Sequence, residues 1–178
     1  FIKAEIKKLS NMKILFAWYD SFIDSICKAN QGDFGVIRKR KSLYNKKGIP
    51  EWVKIYDYPS LKNNKNFISS ISNLEKFIQK ISWDSQTLML YDRDSVSFKI
   101  ETSSLRSIKI INYAYSCASL IEQLKPKCIF YHNMPHQFKS WVFCNIAEHM
   151  GVKIYYPEYT YIPWRYYLVE GINKPGRL

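Results

Sequence analysis

The sequence predicts an α/β layered domain with a mostly parallel central sheet and helices on both faces. Three observations point there. Near-continuous apolar runs, Met12–Tyr19 and Cys128–Tyr131 among them, suit strands buried on both sides, as parallel strands are. Segments with helical apolar spacing fall between such runs. Strand and helix signals alternate along the chain, the pattern of a parallel sheet joined by helices. At 178 residues the chain has the size of one domain and can bury a core.

Taken in order, residues 1–11 form a short Lys-rich extension ahead of the first strand run. Asp20 and Ser21 can cap a helix through Ala29. Gly32 and Gly35 break the chain, and Val36-Ile37 opens a second strand. Glu51–Tyr58 reads as a third, ended by Pro59. Leu61–Asn66 is a polar loop, and Phe67–Ile81 has apolar residues at helical spacing. Thr87–Tyr91 reads as a short strand, and Asp92-Arg93-Asp94 after it can belong to a site or, as is more common, form an ion pair at the strand end. Ser103 or Ser104 can cap the next helix, which Pro126 ends. Ile108, Ile111, Tyr115, Ala118 and Ile121 are its expected inward stripe. Cys128–Tyr131 is a strand, Phe138–Met150 a helix closed by Gly151, and Val152–Tyr156 a further strand. This order is Rossmann-like. The end, residues 172–178, reads as the start of a linker to a second domain.

The net charge of +12 favours an anionic partner: nucleic acid, lipid headgroups or a phosphorylated substrate. A Lys-rich composition explains much of that charge without any partner. The densest basic run is Arg38-Lys39-Arg40-Lys41, suited to phosphates or an anionic membrane surface, or to a solvated loop. Cysteines 27, 117, 128 and 144 form no C-x-x-C pair, and free buried thiols are expected. No apolar run approaches the ~18 residues that span a bilayer, and no signal peptide is evident. A cytoplasmic protein is expected, peripheral at the inner membrane face where it meets lipid. Dinucleotide, P-loop and serine-hydrolase motifs are absent.

Two polar clusters follow the last two strand runs. His132, Asn133 and His136 follow the first, and Glu158, Thr160 and Arg165 the second. In open parallel sheets ligands bind beyond the carboxyl ends of the strands. Two imidazoles and a carboxylate can supply a general base. The helix starting near Phe138 turns its positive end toward the first cluster, which suits an anion. Other readings stand beside this one. The His residues can cap backbone groups in a Pro-containing turn, and Glu158 can pair with Arg165. A metal site fits poorly, because Pro135 keeps His132 and His136 off one helix and His149 lies about 17 Å along the next. The aromatic run from Tyr155 to Tyr167 can stack on sugars or bases, or pack against another domain.

Residues 125–136, Lys-Pro-Lys-Cys-Ile-Phe-Tyr-His-Asn-Met-Pro-His, resemble a strand followed by an N-x-P-H element. The helix then carries Ile146-Ala147-Glu148-His149-Met150-Gly151-Val152-Lys153, and Glu158–Arg165 follows. This order is similar to the amino-terminal half of GT-B-type glycosyltransferases of bacterial capsule and surface-polysaccharide synthesis. The resemblance implies two Rossmann-like domains with the active site between them. This chain would be the acceptor-binding half, acting on a glycan or lipid-linked acceptor. The nucleotide-sugar donor would be held mainly by the missing domain, and no other cofactor is implied. His136 is then the candidate base, with Glu158 an alternative base or its orienter. His132, Asn133, Thr160 and Arg165 are candidate acceptor contacts. The alternatives are a basic, aromatic-rich nucleic-acid-binding domain and a small His-dependent hydrolase. No RRM, KH or helix-turn-helix pattern supports the former.

Overall fold

The computed structural model describes residues 13–17, 23–25, 28, 33–38, 53–59, 73–94, 101–162 and 165–172. Six strands are β1 (Ile14–Phe16), β2 (Phe34–Arg38), β3 (Lys54–Asp57), β4 (Cys128–Phe130), β5 (Lys153–Tyr159) and β6 (Tyr166–Glu170). Among the described residues the helices with given bounds are α1 (Leu74–Ser82), α2 (Ser85–Asp94), α3 (Ser103–Leu124) and α4 (Phe138–His149). Residues 23–25 and 28 are helical as well. The chain divides into two compact units. A sheet unit holds Phe1–Tyr58, Leu124–Met134 and Val152–Leu178, and a helical unit holds Pro59–Gln123 and Pro135–Gly151.

The sheet order is β3-β2-β1-β4-β5-β6, with every pairing parallel except β5 to β6. The α/β class and mostly parallel sheet expected from the sequence are present. β1 pairs with β2 through Ile14↔Phe34 and with β4 through Ile14↔Cys128. β1 is buried throughout, as its apolar run requires. On one face Ile14, Phe16, Phe34, Cys128 and Phe130 form a core with Ile23, flanked by Tyr155 and Leu168. Aromatic rings run across four strands there. Phe16 lies 6.1 Å from Phe34 and 5.7 Å from Phe130, and Phe130 lies 5.1 Å from Tyr155. Such cross-strand pairs add to the stability of a sheet. The alternate residues Leu15, Ile37, Ile129 and Ile154 are wholly buried on the other face. Gly35 sits among them, where a Cβ would stand 2.6 Å from Tyr56 Cε2 and 2.9 Å from Leu15 Cδ2.

β5 and β6 form an antiparallel hairpin, with Glu158 opposite Tyr167 and Tyr156 opposite Val169. The sequence reading ended the last strand at Tyr156 and had no β6. Alternating exposure in an aromatic-rich run, half of it at the sheet edge, hid the strand signal.

In the helical unit the expected strand at Thr87–Tyr91 is part of α2. Asp84 caps it. Its Oδ2 accepts from the Thr87 N–H at 2.8 Å and from the Thr87 hydroxyl at 2.9 Å. A five-residue apolar run does not distinguish strand from buried helix, and the Asp-x-x-Thr cap does. α1 buries Leu74, Ile78 and Ile81, in line with the spacing read from the sequence. The earlier part of that stretch, residues 67–72, lies outside the described residues.

α3 is 22 residues long, about 33 Å at 1.5 Å per residue. Thr102, one residue ahead of the expected serines, supplies the cap: its hydroxyl oxygen accepts from the Leu105 N–H at 3.3 Å. The buried stripe is Ile110, Tyr113, Ala114, Cys117, Ala118, Ile121 and Leu124, and Ile108 is exposed. Of the expected stripe Ala118 and Ile121 are buried, Ile111 and Tyr115 are half-buried and Ile108 is exposed, because apolar residues occur around most of this helix and spacing alone does not select a face. Lys125 turns left-handed at φ 47, and Pro126 follows, ending the helix where expected. α4 is buried all round from Trp141 to Ala147. Gly151, at φ 80, follows its last turn and donates to the Glu148 carbonyl at 3.0 Å.

Candidate functional site at the carboxyl edge of the sheet

Strands β1 to β5 are mutually parallel, so their carboxyl ends share one edge. The order reverses at β1: β2 and β3 lie on one side, and the chain returns as β4 on the other. The crevice beyond such a reversal is where open α/β sheets bind ligands. Ala17, just after β1, donates its N–H to the Phe130 carbonyl at 2.8 Å. Tyr131, just after β4, is buried and donates its N–H to the Tyr155 carbonyl at 2.8 Å. Its hydroxyl lies 2.6 Å from that of Tyr58, which follows β3. Two strands separate β3 from β4, an interval of about 14 Å at ~4.8 Å per spacing. The phenol pair thus reaches across the ends of β1 and β2. His132 is exposed and Asn133 half-buried at the same edge.

Glu158 lies in β5, three residues beyond Tyr155, the last residue paired with β4. It was expected in a loop after the strand. The hairpin with β6 extends the strand instead and fixes the side of the sheet on which residue 158 lies. The Tyr167 hydroxyl donates to the Glu158 carboxylate. That bond raises the pKa of the phenol, because it favours the protonated hydroxyl, and burial and the carboxylate charge add to it. Among the described residues Glu158 pairs with Tyr167 and not with Arg165. At the hairpin turn, the Thr160 hydroxyl lies 3.1 Å from the carbonyl oxygens of both Ile162 and Arg165 and accepts from the Ile162 N–H at 3.2 Å. Its N–H donates to the Arg165 carbonyl at 3.0 Å. Thr160 and Arg165 are brought together by the backbone of the turn, and the Arg165 side chain is exposed.

His136 belongs to the helical unit, whereas His132, Asn133, Glu158, Thr160 and Arg165 belong to the sheet unit. The Arg93 guanidinium donates to the His136 carbonyl. The neighbouring Asp94 Oδ2 accepts from the Phe138 N–H at 2.7 Å, and Arg93 and Asp94 pair at 3.0 Å. These two charges, expected to form an ion pair at a strand end or to belong to a site, hold the entry of α4. Gln137, at the cap position, makes no side-chain cap bond. The anion at the positive end of α4 is thus the Asp94 carboxylate, on an N–H that was expected to serve a ligand. His149 stacks on Phe77 with centroids 4.1 Å apart and planes 3° from parallel. Among the described residues no three His, Cys, Asp or Glu side chains gather as a metal site.

Of the basic run, Arg38 ends β2, and Lys39, Arg40 and Lys41 lie outside the described residues. Among the described residues no helix is long and apolar enough to cross a membrane. Cys117, Cys128 and Cys144 are buried thiols outside any disulfide, as expected, while Cys27 lies outside the described residues. Sequence reasoning did not find the roles of Tyr58, Tyr131 and Tyr167. The two crevice tyrosines are 73 residues apart, and no local pattern links them. Tyr167 had a local signal, the two-residue alternation of Tyr167 and Val169 opposite Glu158 and Tyr156. Comparisons with protein families, with curated proteins and with solved structures found no match.

Proposed function

We propose that the chain is the acceptor-binding half of a glycosyltransferase that moves a sugar from a nucleotide-sugar donor to a growing surface glycan. The observation that carries this reading is the carboxyl edge of the sheet. There His132 and Asn133 follow β4, and β5 overhangs it to carry Glu158 on a carboxylate bonded by Tyr167. The resemblance of residues 125–136, 146–153 and 158–165 to the acceptor half of GT-B enzymes points the same way. In this reading a base takes the proton of the acceptor hydroxyl as its oxygen attacks the anomeric carbon, and the nucleotide departs. Glu158 and His136 are the two candidates. Glu158 has an oriented carboxylate, and His136 has the resemblance. His132, Asn133 and Arg165 contact the acceptor, while Thr160 shapes the turn that presents Arg165. The donor is bound mainly by a second domain, and catalysis needs both, because the reactants must be held in one geometry. The net charge of +12 suits a phosphate-linked acceptor.

The test is transfer from nucleotide sugars by the longer gene product. Glu158→Gln and His136→Ala are assayed separately. Loss of the base lowers turnover by about 10²–10⁴-fold while circular dichroism stays unchanged. Unchanged turnover in both variants rejects the site. A reading frame that closes near Leu178 rejects the function.

A further inference from the structure

β6 stands at one end of the sheet order, and no described strand pairs with its outer side. Its register on β5 determines which of its backbone groups face outward. The Gly171 N–H donates to the Ile154 carbonyl at 2.8 Å, and the Arg165 carbonyl accepts from the Thr160 N–H at 3.0 Å. Antiparallel bonding alternates, so residues 167 and 169 face β5 as well. Pro157, which has no N–H, accordingly stands opposite Leu168. The N–H and C=O groups of Tyr166, Leu168 and Glu170 therefore point away from the sheet. Edge strands are normally protected by lysine, proline or a bulge. β6 reads Tyr-Tyr-Leu-Val-Glu, in unbroken register with β5, and has none of these. Its Tyr and Val residues favour extended strands. Tyr166 is 48% exposed, and Glu170 is exposed as well.

From these observations we infer that β6 pairs with β6 of a second copy, antiparallel across a two-fold axis at Leu168, joining two sheets into one. That register uses the outward N–H and C=O groups of Tyr166, Leu168 and Glu170 together. It sets Leu168 against the partner's Leu168, Tyr167 against the partner's Val169, and Tyr166 against the partner's Glu170. Apolar side chains then meet on the axis, and a phenol that can donate meets a carboxylate on either side of it. An axis at Glu170 would instead oppose two like charges and shorten the pairing. Within its own chain Glu170 accepts from the Tyr155 hydroxyl at 3.1 Å and pairs with Lys153 at 3.5 Å, which fixes its carboxylate beside the edge. Local charge also favours a like partner. The chain carries +12, whereas β6 contains no cation, so two copies meet here with less repulsion than at a basic surface. An acidic partner would be drawn to the lysines and arginines elsewhere. Pairing with β3 of the next copy, which exposes Lys54 and Asp57, would be head-to-tail and leave edges open. The inference concerns association alone and stands independently of glycosyl transfer.

The test is sedimentation velocity of the whole chain over a range of concentrations, with amide hydrogen exchange read at Tyr166, Leu168 and Glu170. A dimer is expected, with those amides protected in it and released on dilution. Tyr166→Glu sets an acid against the partner's Glu170. It is expected to raise the dimer dissociation constant about tenfold or more, since the opposition occurs on both sides of the axis. Tyr166→Arg sets a cation there and is expected to keep the dimer. Diffuse repulsion would give the reverse order, because the first variant lowers the positive charge of the chain and the second raises it. Circular dichroism checks that both variants fold. A monomer at every concentration overturns the inference, including one whose β6 takes up an extended peptide of another protein. So does a dimer that Tyr166→Glu leaves unchanged, or one that both variants weaken equally.

Discussion

Tyr167 and Glu158 show how one pair of residues is set by register. Opposite positions on a hairpin bring their side chains together, and the phenol donates to the carboxylate. The phenol is accordingly harder to ionise than an ordinary tyrosine. Glu158→Gln removes the charge that holds the proton, so the Tyr167 transition is expected to move back down toward 10 in an alkaline spectroscopic titration. A Tyr167 transition that does not move in Glu158→Gln would show that the bond is not kept in solution. Gly35 is a second residue-scale constraint. Its lack of a Cβ lets the Tyr56 ring and Leu15 approach the β2 backbone. Gly35→Val is expected to cost about 1–3 kcal/mol by overpacking, read as a lower urea midpoint at unchanged slope. A midpoint equal to the parent's would mean that Tyr56 moves aside freely.

Among the elements, α4 depends on its neighbour for its start. Its cap residue bonds nothing with its side chain, and Asp94 at the end of α2 supplies the acceptor. Arg93 completes the joint by holding the His136 carbonyl. Asp94→Ala is expected to cost about 1 kcal/mol, the usual cost of a lost cap, measured by urea unfolding. Asp94→Asn keeps an acceptor and should lose less. Equal losses in the two variants would point to the charge rather than the cap bond. The α2–α3 region has a further tie, in which the Tyr91 hydroxyl donates to Glu101 at 3.0 Å and Lys109 bonds the same carboxylate. Burial first, and the Glu101 bond second, push the Tyr91 phenol upward. The Lys109 bond in turn holds the Glu101 carboxyl below its ordinary range.

For the whole molecule, the buried thiols are expected to make stability fall at alkaline pH. Burial pushes Cys128 from 9.0 to about 12, and burial pushes Cys117 up as well. In the unfolded chain both ionise near about 8.5. Below that value the native state keeps the full benefit. Above it the native chain retains protons that the unfolded chain has lost, so stability drops as pH rises. Each thiol contributes up to about 1.4 kcal/mol per pH unit in that window. Tyrosines with raised values, Tyr91, Tyr155 and Tyr167 among them, add to the slope above about 10. Urea midpoints between pH 8 and 11 check this. Cys128→Ala should flatten the fall even if it lowers stability throughout. An unchanged slope in that variant would refute the role of Cys128.

What the sequence determined by itself was local. Apolar runs located β1 and β4, helical spacing located α1 and α4, and Pro126 and Gly151 marked two helix ends. Together they suffice for the α/β class, because that class follows from alternating short-range periods. Residues 132, 133, 158 and 160 were also legible as candidates, since each lies in or beyond a strand run where the apolar pattern gives way to polar groups. Only tertiary structure decided the rest. It chose the face of α3 among many apolar residues and extended β5 into a hairpin, whereas the helix over Thr87–Tyr91 follows a local signal, the Asp84 cap. It also joined Tyr58 to Tyr131 across the switch in strand order and gave Asp94 to α4. The last two are pairings between distant segments. Residue type and spacing limit which partners can meet, and the packed chain selects the ones that do.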